Sequence, residues 1–307
     1  AVEIVVKDAT GPDGLSCGAL NVINGGSLTV RYDGLGLSQR SAINASGNVV
    51  INGTLDISGF VNGVYLSSSD AEQTLTVDGG KVTVDVSGYG ITSADAFIGA
   101  EDDGDRTRVN KELYFNGGVT SIFTGNGTVD SAGISGCNVT VGDAELNIIA
   151  DSGYCIEAKN PVAFKTTSGD YKKGKVVLVN NFFNEWYDVN YALKVKTLDL
   201  DGGNVYAYAL CRGGVIHTET GATLSFKNCD ITVKNGQEVT DAANRGYGID
   251  LGGGSETVTV ERSARVFFES VAAALRCWGR TETDAPEVIN NGVIVLDTYV
   301  VGLEPWI

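Results

Sequence analysis

The chain has 307 residues, 43% hydrophobic and 20% charged, with 38 acidic against 22 basic side chains and a net charge of −16. So acidic a surface repels nucleic acid and anionic membrane unless a basic patch interrupts it, and the densest basic stretch is three lysines in a turn, Lys172, Lys173 and Lys175. No window approaches the roughly 20 apolar residues of a membrane span, so membrane insertion is not expected.

In chain order, Ala1 leads at once into a strand-like run at 2–6, the start expected of a secreted protein after signal-peptide removal. A self-similar unit follows, in altered copies at 22–30, 50–57, 75–84, 114–119, 198–205, 224–233 and 288–295. Each copy is a short alternating strand, a turn and a second strand. The turns are anchored by Asn24, Asn52, Asp78, Asn116, Asp201 and Asn290, with degenerate anchors near Gly142, Gly169, Lys227 and Glu261. The closest anchors lie 26 or 28 residues apart. A second motif marks another corner at 34–37, 88–91, 153–156 and 246–249. With 41 glycines against 4 prolines, the composition is that of many strands separated by tight turns. Asn, Asp and Gly tolerate the left-handed backbone of a sharp corner, and alternating Val, Ile and Leu between corners supply a shared core.

Stacked copies would place like residues over like, with the recurrent Asn and Asp side chains hydrogen-bonding along the stack. This predicts an all-β, single-domain right-handed parallel β-helix of about ten coils spanning 1–307, with loop insertions at about 93–112, 180–191 and 235–244. An antiparallel sandwich or barrel also uses Asn-Gly turns, but the steady 26-residue beat counts against it. The repeat style resembles the right-handed parallel β-helix segments, rich in Gly, Val and Thr, of bacterial cell-surface and secreted proteins, some labelled carbohydrate-binding. The resemblance implies this fold and a cell-surface setting and transfers no activity. β-Helix glycosidases use Asp pairs in Asn-Thr-Asp and Gly-His-Gly contexts, and neither string occurs here.

Function on a solenoid sits on loops that leave the regular coil. The 93–112 insertion carries Asp102, Asp103 and Asp105 beside Arg106 and Arg108, which reads first as a solvated polar loop with the arginines offsetting the acids, and otherwise as a candidate calcium site without EF-hand spacing or the beginning of a polysaccharide lyase or glycosidase site. No other cofactor is expected. The 180–191 insertion sets Phe182, Phe183, Trp186, Tyr187 and Tyr191 among amides and acids, a pattern that suits sugar stacking, a protein interface, or a lid over the solenoid flank. The 235–244 insertion is polar. His217 is the single histidine and is read as structural, and Trp278 as a core corner. The six cysteines, Cys17, Cys137, Cys155, Cys211, Cys229 and Cys277, lack metal-ligand spacing and leave buried thiols and disulfides both open. Neither terminus carries a recognisable cap, so strand addition at the ends is expected to pair the solenoid with other copies of itself or with surface proteins. The expectation is an extracellular structural or adhesive protein forming a filament or surface layer. The alternatives are a carbohydrate-binding module using the aromatic insertion, with polysaccharide as partner, and a β-helix enzyme.

Overall fold

The computed structural model describes all residues except 9, 36–37, 39, 69–71, 95, 99–106, 110, 126–130, 159–160, 167–172, 184–189, 212, 237–245, 272, 278–285 and 298–307. The described residues form strands and turns with no helix. Apart from one small hairpin, all the strand pairs are parallel, and they line three faces that the chain visits in rotation. The first face stacks eleven strands, from Val2–Val6 through Ser27–Tyr32 and Thr54–Phe60 to Val293–Asp297. The second runs from Leu15–Cys17 to Ala273–Cys277, and the third from Leu20–Val22 to Glu287–Asn290. Leu193–Asp201 and Gly214–Lys227 continue round the corner between the second and third faces, which joins these into one sheet of 18 strands. The arrangement is a solenoid of parallel sheets, and the antiparallel alternative does not apply.

The alternation in the sequence builds the core. On the first face Val30, Ile57, Val84, Ile122, Ile148 and Leu178 lie in register on successive strands, all buried. The second face contributes Ile43, Val64, Ile91, Ile134, Ile156 and Leu193, and the third Ile51, Val77, Phe115, Val141 and Phe164. The three rows form one continuous hydrophobic cluster along the stack. One turn of the solenoid takes 26 residues where Thr120 pairs with Leu146. It takes 38 where Val82 pairs with Thr120 and 35 where Ile231 pairs with Val266. The longest turn contains the 93–112 stretch, whose Ala96–Ile98 and Thr107–Val109 form the hairpin.

The Asn and Asp anchors lie after the third face, where the chain turns into the first. Gly79 (φ 87°) and Gly118 (φ 76°) take the left-handed backbone this corner requires. Among the described residues the expected ladder is found at one step, Asn228 Nδ2 donating to Asp201 Oδ1 at 2.7 Å. At Asn24, Asn52, Asp78 and Asn116 the coils are joined by backbone bonds instead: Asn52 N donates to Val22 O at 2.7 Å, Asp78 N to Ile51 O at 3.0 Å and Asn116 N to Val77 O at 2.9 Å. The side chains favour the turn conformation; the peptide groups hold the stack. All six cysteines are thiols. Burial pushes the thiols of Cys137 and Cys229 up to about 12.

The motif at 88–91 and 246–249 lies where the first face turns into the second. Just before most of the inward aliphatics of the second face stands a small residue, Gly63, Gly90, Gly133, Cys155, Ala192 and Gly248, whereas Val215 precedes Ile216. A Cβ at Gly90 would lie 2.3 Å from Ile122 Cγ2, at Gly133 2.3 Å from Ile148 Cγ2, and at Gly248 2.3 Å from Phe268 Cδ1. Glycine is therefore needed here for the close approach of two sheets. Gly133→Val is expected to destabilise the protein by about 1–3 kcal/mol through overpacking. Gly18→Ala, exposed and with nothing within 4 Å of the added methyl, should change stability by no more than about 0.5 kcal/mol. Urea unfolding of the two variants checks this, and equal midpoints would contradict the packing account.

Candidate functional site

Residues that follow the inward aliphatics of the second face project to its outside, and the stacking aligns them coil over coil. Glu157, Lys194, His217, Asp250 and Arg276 thus form one column drawn from five successive strands. Signs alternate where charges touch. Lys194 Nζ lies 2.8 Å from Glu157 Oε1. Arg276 grips Asp250 with two bonds, Nε to Oδ1 at 2.8 Å and Nη2 to Oδ2 at 2.6 Å. His217 Nδ1 reaches Asp250 Oδ2 at 3.3 Å.

A second column, three residues earlier in the chain, is aromatic. Tyr154 and Tyr191 stack with centroids 6.0 Å apart, and Tyr191 stacks on the His217 imidazole at 4.5 Å and 10°. Tyr247 lies under the Arg276 guanidinium, 4.3 Å from its centroid. Gly214 pairs with Tyr247, and a Cβ there would lie 2.6 Å from Asp250 Cβ, so the missing side chain is what admits Asp250. The Asp250 side chain is 1% exposed and those of Arg276 and His217 16% and 22%. Burial alone would raise the Asp250 carboxyl, but the hydrogen bonds and charges of Arg276 and His217 prevail and hold it below the ordinary carboxylate range. For Lys194, burial opposes the charge and Glu157 more than restores it, leaving the ammonium above its ordinary value.

The described ends of the aromatic insertion, 180–183 and 190–191, lie beside this column. The insertion begins after Lys175–Asn180, whose last residue is fully buried. Asn180 Nδ2 donates to Gly153 O at 2.6 Å and to Tyr191 O at 3.1 Å, and its Oδ1 accepts from Phe182 N at 3.0 Å, pinning both ends of the loop. Phe182 is half-buried, Phe183 exposed, and Tyr191 enclosed at 6% between Tyr154 and His217. Trp186 and Tyr187 lie outside the described residues, as do Asp102, Asp103, Asp105, Arg106 and Trp278. On the first-face side of the same corner, Phe123, Ile149, Val179 and Tyr208 form an outward apolar stripe in register, with Phe123 40% exposed. Among the described residues no group of three His, Cys, Asp or Glu is placed to hold a metal ion.

No protein-family model matches this chain, and no curated protein or solved structure is detectably similar to it. The site therefore has to be understood from its own chemistry. Of the residues singled out in the sequence, the structure brings Tyr191 and His217 into contact. Asp250 and Arg276 were missed; the signal available was their position after Ile249 and Leu275 in strands of one repeat, with the lone histidine after Ile216.

Removing one partner from the enclosed Asp250–Arg276 pair leaves the other charge uncompensated, so Arg276→Ala is expected to cost about 3–5 kcal/mol. Because the folded-state pKa of Asp250 is depressed, its contribution is complete above the unfolded value of about 4 and is lost as pH falls through the folded one. The stability advantage of the native protein over Asp250→Asn should therefore be full at pH 7 and shrink below about pH 4, measured by urea unfolding across pH. A difference independent of pH would contradict the ionised assignment.

Proposed function

We propose that this chain is a non-enzymatic, extracellular adhesive scaffold: a right-handed parallel β-helix of about ten coils forming one unit, whose corner between the first and second faces contacts polysaccharide. The observation that carries the reading is the convergence at that corner of an outward apolar stripe, a rigid column of tyrosines and paired charges, and the aromatic insertion pinned by Asn180. Flat aromatic and apolar surface next to fixed hydrogen-bonding groups suits sugar rings, which offer a C–H face and a rim of hydroxyls. Phe182, Phe183, Trp186 and Tyr187 are the contact residues on this reading. A glycan array with native protein and Trp186→Ala tests it: retention of a neutral polysaccharide, weakened at least tenfold in the variant, is expected. Failure of the native protein to retain any glycan would sink the reading.

A second reading, assembly with other copies, is favoured by the outermost strands of the first face. Val2–Val6 and Val293–Asp297 each pair on one side only among the described residues, with Val2 59% and Val293 and Leu296 47% exposed. Assembly by strand addition predicts sedimentation coefficients that rise with protein concentration. One invariant monomer species over a hundredfold range rules it out.

A further inference from the structure

We propose that His217 is the hydrogen-bond acceptor of a binding site for neutral glycans on the second face, set in one tautomer by Asp250. The inference rests on the glycan-contacting reading of this corner and specifies its ligand class and its central polar atom.

The tautomer follows from the chemistry of the partner. An ionised carboxylate only accepts, so the imidazole nitrogen facing Asp250 Oδ2 must carry its proton. In the neutral ring Nε2 is then the unprotonated, accepting nitrogen. Among the described residues nothing is hydrogen-bonded to Nε2, and it does not figure among the buried polar atoms without partners, so it reaches solvent. The ring cannot readily turn away, because Tyr191 stacks on its face at 4.5 Å and Asp250 is itself fixed by two bonds from Arg276. An orienting carboxylate, a backing ring and a presented nitrogen form a preorganised acceptor.

Charge selects the ligand class. The groups around His217 are already matched, Lys194 by Glu157 and Arg276 by Asp250, and the chain as a whole carries −16. In this column an anionic polysaccharide meets only paired cations, and it is repelled by the net charge of the chain. A neutral glycan brings hydroxyl donors for Nε2 and ring faces for the aromatic side chains at the same corner.

Because the chain has one histidine, its ring nitrogens give unambiguous ¹⁵N signals. In the free protein the neutral imidazole should show Nδ1 protonated and Nε2 unprotonated. Xylo-, cello- and manno-oligosaccharides are the neutral probes and oligogalacturonate the anionic one. At least one neutral probe should shift Nε2 more than Nδ1, and His217→Phe, which keeps a ring against Tyr191, should weaken its binding about fivefold, the worth of one neutral hydrogen bond. His217→Gln, which restores an acceptor, should recover part of the loss. Circular dichroism and the urea midpoint confirm that the variants are folded. A protonated Nε2 in the neutral imidazole of the free protein, or a response to oligogalacturonate alone, overturns the inference. If a neutral probe binds and Trp186→Ala abolishes binding while Nε2 stays unmoved and His217→Phe binds normally, the inference is wrong and the adhesive reading stands. If no probe binds, both fall.

Discussion

Register is the constraint on which the rest of this molecule depends. Each coil must set its inward aliphatics over those of the coil before, because a slip of one residue would turn a whole strand's apolar set to solvent. The parallel ladders keep that register over hundreds of residues, although one turn of the solenoid takes 21 residues where Ile43 pairs with Val64 and 43 where Ile91 pairs with Ile134. Turns can differ because extra length is confined to corners. Between Val82 and Thr120, and between Ile231 and Val266, the longer path still brings the chain back to the same row. The row of small residues at the corner between the first and second faces belongs to the same constraint. There the inward side chains of one sheet reach the backbone of the other, and Gly90, Gly133 and Gly248 are where a methyl group would have no room.

Register also creates the site. Side chains on the outside of a parallel stack are spaced by about 4.8 Å, one coil apart, without any choice on their part. Like charges in such a row would repel, and the column on the second face avoids this by pairing Lys194 with Glu157 and Arg276 with Asp250. Residues separated by 26 to 37 positions in the chain become contacts through the ladders alone. A flat outer surface suits an extended ligand that can span several coils.

Much of the fold was legible in the sequence, because a solenoid repeats its physics. The alternating rows, the Asn-Gly and Asp-Gly corners and the Gly-Tyr-Gly corner all correspond to structural positions that recur. What the anchors do was misjudged: Asn52, Asp78 and Asn116 look like a side-chain ladder, yet the backbone amides of those residues make the bonds. The candidate site was only partly legible. Tyr191 was visible as part of an aromatic cluster, but its enclosure between Tyr154 and His217 depends on residues 37 before and 26 after it. Asn180 read as one polar residue among several at the start of a loop, whereas it is fully buried and ties both ends of that loop. Asp250 carried no motif at all, and its meaning comes from Gly214 and Arg276 on the neighbouring strands.

The Asp250–Arg276 pair raises a question of economy. Taking two charges out of water costs about as much as their attraction returns, so such a pair adds little net stability over apolar residues of the same size. Elsewhere the outside of this solenoid is covered more simply: Thr29, Thr83 and Ser121 stand in one row of the first face, with Asp56 among them. Stability alone therefore does not explain why a carboxylate with a 1% exposed side chain stands at position 250. What the pair supplies is direction. Two bonds fix the carboxylate plane, the carboxylate selects one nitrogen of His217, and Tyr191 fixes the ring plane from the other side. Two contacts thus hold one imidazole, and Arg276 in turn holds the carboxylate that makes one of them, beside the corner at which Asn180 ties the ends of the aromatic insertion.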